Sequence, residues 1–259
     1  MGHIEFNLNV DKLQNALKQQ KRLDNRKFDE YRPITMQRNI SENANGSVRV
    51  KLGETDVAVG VKFGLEKPYP DSPDEGSITV GAELLPMASP SFEAGPPSED
   101  SIELARVVDR SLRESKMLDF KSLGVRSGEL AMFAFVDIYV FNYDGNLFDA
   151  SNLAALAALY DAKLPKIEED KIVLKEYAGK LKLKRKPILC TFAKLGNAIV
   201  LDPSLAEEAN LDARFSVATT EDDYVCAAQK GGSGSFTADE IMQMTDIAFA
   251  KGKELRKHI

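Results

Sequence analysis

The chain has 259 residues, of which 43% are hydrophobic and 29% charged, with 34 basic against 40 acidic side chains and a formal net charge of −6. That length buries a large core and fits one elongated domain or two lobes. A negative net charge excludes wholesale coating of nucleic acid, so any RNA or DNA contact must be local. The only histidines, His3 and His258, sit near the termini, which removes from the interior a Ser/His/Asp triad, a Cys/His pair, histidine general bases and nearly all histidine metal sites.

In chain order, Asp11 to Gln20 carries Leu13, Ala16 and Leu17 at helical spacing, and the charged stretch Lys21 to Arg32 leads into Pro33. Residues 1–32 therefore read as a docking helix followed by an extended arm. From Ile34 the period becomes two: Val48, Val50 and Leu52 alternate with Ser47, Arg49 and Lys51, and Val57, Val59 and Val61 follow a turn at Gly53-Glu54, the pattern of a β-hairpin. Tyr69 to Glu75, interrupted by prolines and acids, is a surface loop, and Ile78 to Leu85 is the next strand. Leu130 to Phe141 is an apolar strand, Asp144-Gly145 a turn, and Ala150 to Ala162 an Ala- and Leu-rich helix ending before Pro165. A strand and helix this apolar must both be covered on two sides.

Composition changes over Lys166 to Lys186, where acids give way to lysines interleaved with leucines. This stretch is expected to join a first lobe (33–165) to a second (187–259), partly as an exposed strand whose lysines protect its edge; its basic run is a lesser candidate for RNA contact. Strands follow at Ile188 to Leu195, Ala198 to Leu201, Arg214 to Thr219 and Tyr224 to Gln229. Gly231 to Ser235 lacks the lysine and spacing of a nucleotide-binding loop and reads as a turn. Thr237 and Glu240 form a capping box for a terminal helix. Cys190 and Cys226 lie in strand-like runs as small buried side chains, a disulfide being the lesser alternative, which suggests a reducing compartment. No charged-then-apolar leader opens the chain and the longest apolar run carries Asp137, so a soluble, cytoplasmic protein with no membrane contact is expected.

The segment that sorts its residues most cleanly is Ser101 to Ser115. At 100° per residue Leu104, Ala105, Val108 and Leu112 fall on one side, and Arg106, Arg110 and Arg113 on another with Glu103 and Glu114 at its edge. Asp100 with Glu103 is the expected N-terminal cap. Three forked, permanently charged donors on a rigid element suit a run of phosphates; a solvated face with local carboxylate partners is the alternative.

These pieces together resemble a known family. Arg22-Leu23-Asp24-Asn25-Arg26, Glu30, Arg32-Pro33, Gly46-Ser47, Gly53-Glu54-Thr55, Glu93-Ala94-Gly95-Pro96-Pro97 before the arginine helix, Asp144-Gly145-Asn146 and Leu201-Asp202-Pro203 look like the RNase PH family. More narrowly, the chain resembles the non-catalytic RNase PH-like subunit of the archaeal exosome. The resemblance implies an α+β, two-lobed RNase PH-like fold with a ribosomal protein S5 domain 2-like first lobe and a smaller α+β second lobe. It further implies a hexameric ring of three heterodimers with a catalytic paralogue, cap RNA-binding subunits, and single-stranded RNA trimmed from its 3′ end with phosphate as the attacking group. Arg106 and Arg110 match the family's RNA-contacting positions, and Arg113 shares their stripe.

Asn25 stands where the family usually has glycine, and asparagine tolerates the left-handed backbone. Active relatives hold phosphate with a Gly-Ser-Arg turn at a helix N-terminus; the matching residues here are Asn146-Leu147-Phe148, without hydroxyl or cation. Paired arginines before the long helix are replaced by Glu99 and Asp100, which repel phosphates. Of the family's acidic pair Asp202 is kept, and Glu208 lies near the second position. The expectation is a subunit with no catalytic residues, metal or cofactor of its own, Asp202 being vestigial or structural. The alternative is an active phosphate-dependent 3′-to-5′ exoribonuclease using Asp202 and Glu208.

Overall fold

The computed structural model describes residues 12–259; His3 and Asp11 lie outside the described residues. A helix over residues 12–18 (α1) opens the described chain. The first sheet is formed by β1 (Ile34–Arg38), β2 (Gly46–Leu52), β3 (Thr55–Glu66), β4 (Ser77–Leu84) and β6 (Leu130–Asn142) in the order β1-β2-β3-β6-β4, with the short β5 (Gly124–Arg126) pairing onto β6. β4 lies parallel to β6. The chain therefore has to cross over the sheet between them, and α2 (Glu99–Glu114) makes that crossing. The β2–β3 hairpin turns at Gly53, whose φ is +59° and where a Cβ would lie 2.6 Å from the Arg32 side chain. Alternation puts Val48, Val50, Val57, Val59, Val136, Ile138 and Val140 on the buried face.

The second sheet has the order β10-β9-β11-β12, built from β9 (Ile188–Leu195), β10 (Ala198–Leu201), β11 (Ala213–Thr219) and β12 (Val225–Gly231), all antiparallel. Between the sheets runs α3 (Leu147–Asp161), which touches β2 and β3 on one side and β9 on the other. Its near-uniform apolar character follows from this placement: residues from Leu147 through Leu159 are buried all round the axis. Its alanines let the sheets come close; a Cβ on Gly46 would stand 2.2 Å from the Ala158 carbonyl oxygen. One apolar cluster consequently runs from Val48 through Leu156 to Phe192 and Val217, so the two lobes share a core. The terminal helix α5 (Ala238–Leu255) starts at the Thr237–Glu240 capping box and packs on β9 and β11.

Four local expectations need correction. The cap of α2 is Ser98, whose hydroxyl accepts from the Ser101 amide; Asp100 and Glu103 lie inside the helix. The central helix begins at Leu147 behind an Asn146 cap, three residues before its alanine run. A one-turn helix, α4 (Leu205–Glu208), stands on a Ser204–Glu207 capping box and was not foreseen. The junction expected to be partly an exposed strand holds most of a two-stranded hairpin, β7 (Lys163–Glu168) and β8 (Lys171–Lys180), turned by Glu169 and Asp170 at φ +48° and +61°. A two-residue turn of type I′ needs positive φ at both positions, which glycine or asparagine normally advertises; Glu169 at the first position gives no such sign. No helix among the described residues is long and apolar enough to cross a membrane.

Candidate nucleic-acid interface and the buried acid network

α2 lies across β4 and β12 with Leu104, Val107, Val108 and Leu112 buried beneath it. Its outward arginines are not equivalent. Arg113 is held by its own chain: its guanidinium pairs with Asp109 at 3.0 Å, donates to the Ile78 carbonyl and the Ser77 hydroxyl of β4, and lies over the Phe120 ring. Arg110 is exposed and makes one neutral contact, Nη1 to Gln229 Oε1 of β12 at 3.1 Å. Arg106 is exposed and has no hydrogen-bond or ion-pair partner among the described residues. Glu103, the carboxylate at the edge of the stripe, is drawn away to Arg214 of β11. The structure thus brings together two unneutralised guanidiniums and one that braces the helix.

Asp202 is fully buried in a left-handed conformation, φ +50°. One oxygen accepts from Arg26 Nη1 at 2.8 Å and from the Arg32 amide and Nε at 2.8 and 3.0 Å. The other accepts from Arg32 Nη2 and Asn146 Nδ2, both at 2.8 Å. An ionised carboxylate has about four lone-pair sites, so these donors saturate it. Next to it Arg22, itself buried, forks onto Glu207 at 2.9 and 2.6 Å and donates to the Leu201 and Asp202 carbonyls. Asn25 holds φ +62° between Arg22 and Arg26 of the arm, the left-handed position expected of it. The arm, the α3 cap and the second lobe are clasped together here.

At the start of α3 Asn146 caps the helix, and its own amide donates to Glu208 Oε1 at 2.8 Å. The Tyr143 hydroxyl donates to the other Glu208 oxygen at 2.7 Å, and the Phe92 ring stacks on Tyr143. Burial raises the pKa of Glu208 against the lowering effect of these donors, and burial with the Glu208 charge pushes Tyr143 far up. Arg214 lies 4.2 Å over the Phe148 ring. Beneath, Asp149 is buried and accepts at Oδ2 from Tyr31, Asn146 and the Thr191 amide, its Oδ1 having no partner among the described residues; burial pushes it up to about 7. Burial likewise drives the Cys190 thiol far up and Cys226 to about 11. Both cysteines are free, and neither supplies a thiolate near neutrality.

Residues 30–165 match the profile of the 3′ exoribonuclease family, domain 1, and residues 186–251 match its domain 2. The chain belongs to the RNase PH family. It is 46% identical over 264 residues to the exosome complex component Rrp42 of Thermococcus gammatolerans, with 99% of this chain and 96% of that protein covered. Among solved structures it resembles a chain of the Archaeoglobus fulgidus exosome with RNA bound to the active site, at 42% identity and a TM-score of 0.93, covering 98% of this chain and 99% of that one. It also resembles a chain of an archaeal exosome core, at 38% identity and a TM-score of 0.89, covering 100% and 99%.

The two-lobed α+β fold expected from the sequence is that of the RNase PH family. The α3 N-terminus, where active RNase PH members are expected to hold phosphate, here meets the chain's own Glu208 carboxylate. Two features escaped sequence reasoning. Arg214 brings a guanidinium to the turn from another strand, and Glu208 fills the anion-seeking end of the helix. The six-residue spacing from Asp202 flagged Glu208, but nothing local signalled what it would bind.

Proposed function

We propose that this chain is the non-catalytic, RNA-binding structural subunit of an archaeal exosome ring. Its partners are a catalytic RNase PH-like paralogue, in three heterodimers forming a hexameric ring, and the cap RNA-binding subunits; the ring works in the cytoplasm. The chain helps to complete the paralogue's active site and guides single-stranded RNA toward 3′-to-5′ phosphorolysis. Arg106 and Arg110 make phosphate contacts that position RNA without reading its sequence. Arg113, the third residue of the stripe, fixes α2 on β4.

The observation that carries this reading is the Glu208 carboxylate on the Asn146 amide at 2.8 Å. A phosphate entering that helix end would meet a like charge in a partly buried setting; the turn itself offers neither hydroxyl nor cation, and the Arg214 guanidinium beside it is already paired with Glu103. Asp202, saturated by Arg26, Arg32 and Asn146, has no lone pair left to move a proton. These two facts oppose the alternative of an active exoribonuclease using Asp202 and Glu208. The exosome names of the relatives support the choice of partners.

The test uses end-labelled single-stranded RNA with inorganic phosphate. The purified chain is expected to release no nucleoside diphosphate, and addition of the catalytic paralogue to restore shortening. Phosphate-dependent shortening by this chain free of partner would overturn the reading.

A further inference from the structure

The basic run flagged in the sequence plays no part in the arginine stripe, yet the fold ties it to the end of the same helix. Arg185 Nη1 donates to the Ser115 carbonyl at the C-terminus of α2, and Lys184 N to the Met117 carbonyl just beyond. From there a strip of alternating cations and aromatic rings runs outward. The Lys186 ammonium lies 4.8 Å from the Tyr160 ring at the end of α3. Three residues further along the chain, at the start of β7, the Lys163 ammonium lies 5.2 Å from the Tyr177 ring of β8. Lys180 is paired in register with Lys163 across the β7–β8 hairpin, so its side chain rises on the same face.

The rings of this strip are open: Tyr160 is 40% and Tyr177 43% exposed. Lys180 and Lys182 are exposed and have no ion-pair partner among the described residues. A strand edge protected only by charge would need lysines but not two half-open tyrosines under ammonium groups. Aromatic faces alternating with cations are what a single-stranded polynucleotide engages, bases on the rings and phosphates on the ammonium groups. An acidic peptide would use the lysines and gain little from the rings.

We propose that Tyr160, Lys163, Tyr177, Lys180 and Lys186 form a second single-stranded RNA contact, continuing from the end of α2 across the hairpin. Stacking on Tyr177, with phosphates on Lys163 and Lys180, lengthens the path that Arg106 and Arg110 begin. This rests on the RNA-binding reading above but on different residues. It binds RNA by backbone and stacking and is tolerant of sequence.

The test is fluorescence anisotropy of the full chain with a labelled oligoadenylate of about 12 nucleotides. Tyr177→Ala should weaken binding at least about fivefold, Tyr177→Phe should leave it near wild type, and Lys163→Glu with Lys180→Glu should weaken it and flatten its salt dependence. Both lysines are exposed, so their effect can be read even if Tyr177→Ala disturbs the hairpin. Unchanged affinity in the lysine variant, or equal binding of polyglutamate and RNA by the wild type, overturns the proposal. Arg106→Glu with Arg110→Glu in the same assay separates the two ideas. Loss there with no loss in the hairpin variants leaves the arginine reading standing and removes this one.

Discussion

The three arginines of α2 have the same spacing argument behind them and different surroundings, which makes them a sharp test of the interface. Each phosphate contact with single-stranded RNA contributes about 0.7 to the slope of log affinity against log salt. Over a fourfold rise in salt one contact therefore accounts for about a 2.6-fold loss of affinity, and two for about sevenfold. Among the described residues Arg106 has no partner to give up, and Arg110 gives up only the neutral Gln229 contact. Arg106→Ala and Arg110→Ala should each flatten the slope by about 0.7 and together by about twice that. Arg113 is tied to Asp109, Ile78 and Ser77, so Arg113→Ala should leave the slope unchanged and lower the melting temperature instead. The measurement is anisotropy titration of labelled single-stranded RNA against the chain assembled with the proposed catalytic paralogue, over a salt series. Equal flattening by all three variants, or none by Arg106→Ala and Arg110→Ala, would refute the reasoning.

Three further outcomes follow from the buried network. Removing the internal carboxylate in Glu208→Ala should let inorganic phosphate shift the backbone amide resonances of residues 146–148, with Arg214 close by as a cation, whereas wild type should show no such shift. Asp149 has a folded pKa of about 7 against an ordinary 3.8. The folded state thus binds more protons than the unfolded one between those values, and this group's contribution to stability falls as pH rises from about 4 to 7. In Asp149→Asn that component disappears, so the wild-type minus variant difference in chemical unfolding free energy should decline across the same window; a flat difference contradicts the assignment. Arg22 and Glu207 are both buried and doubly bonded to each other, so Glu207→Gln strands a charge and should cost about 3–5 kcal/mol in denaturant unfolding.

Much of the fold is legible residue by residue. The apolar stripe of α2, the alternation through Val48 to Val61, the Thr237–Glu240 cap and the mostly apolar α3 are each set by neighbours a few positions away, where a period of 3.6 or 2 is imposed by backbone geometry alone. The hairpin at Glu169-Asp170 was not legible, because its first positive φ is supplied by Glu169, which carries no turn signature and is held by pairing of β7 with β8. Ser98 lost to Asp100 as the expected cap because both are competent cap residues and only the path of the chain into the helix chooses between them.

By itself the sequence determined the family, the residues Asn146-Leu147-Phe148 where α3 begins, and a row of arginines on one helix face. Only the tertiary structure decided which of those arginines are free, since Glu103 chooses Arg214, 111 residues away, over its own stripe. It alone showed that Glu208 closes the α3 end across 62 residues. The reason is physical: a helical period tells which way a charge points, but which opposite charge reaches it depends on how the sheets and α3 pack, and partial burial makes that pairing decisive.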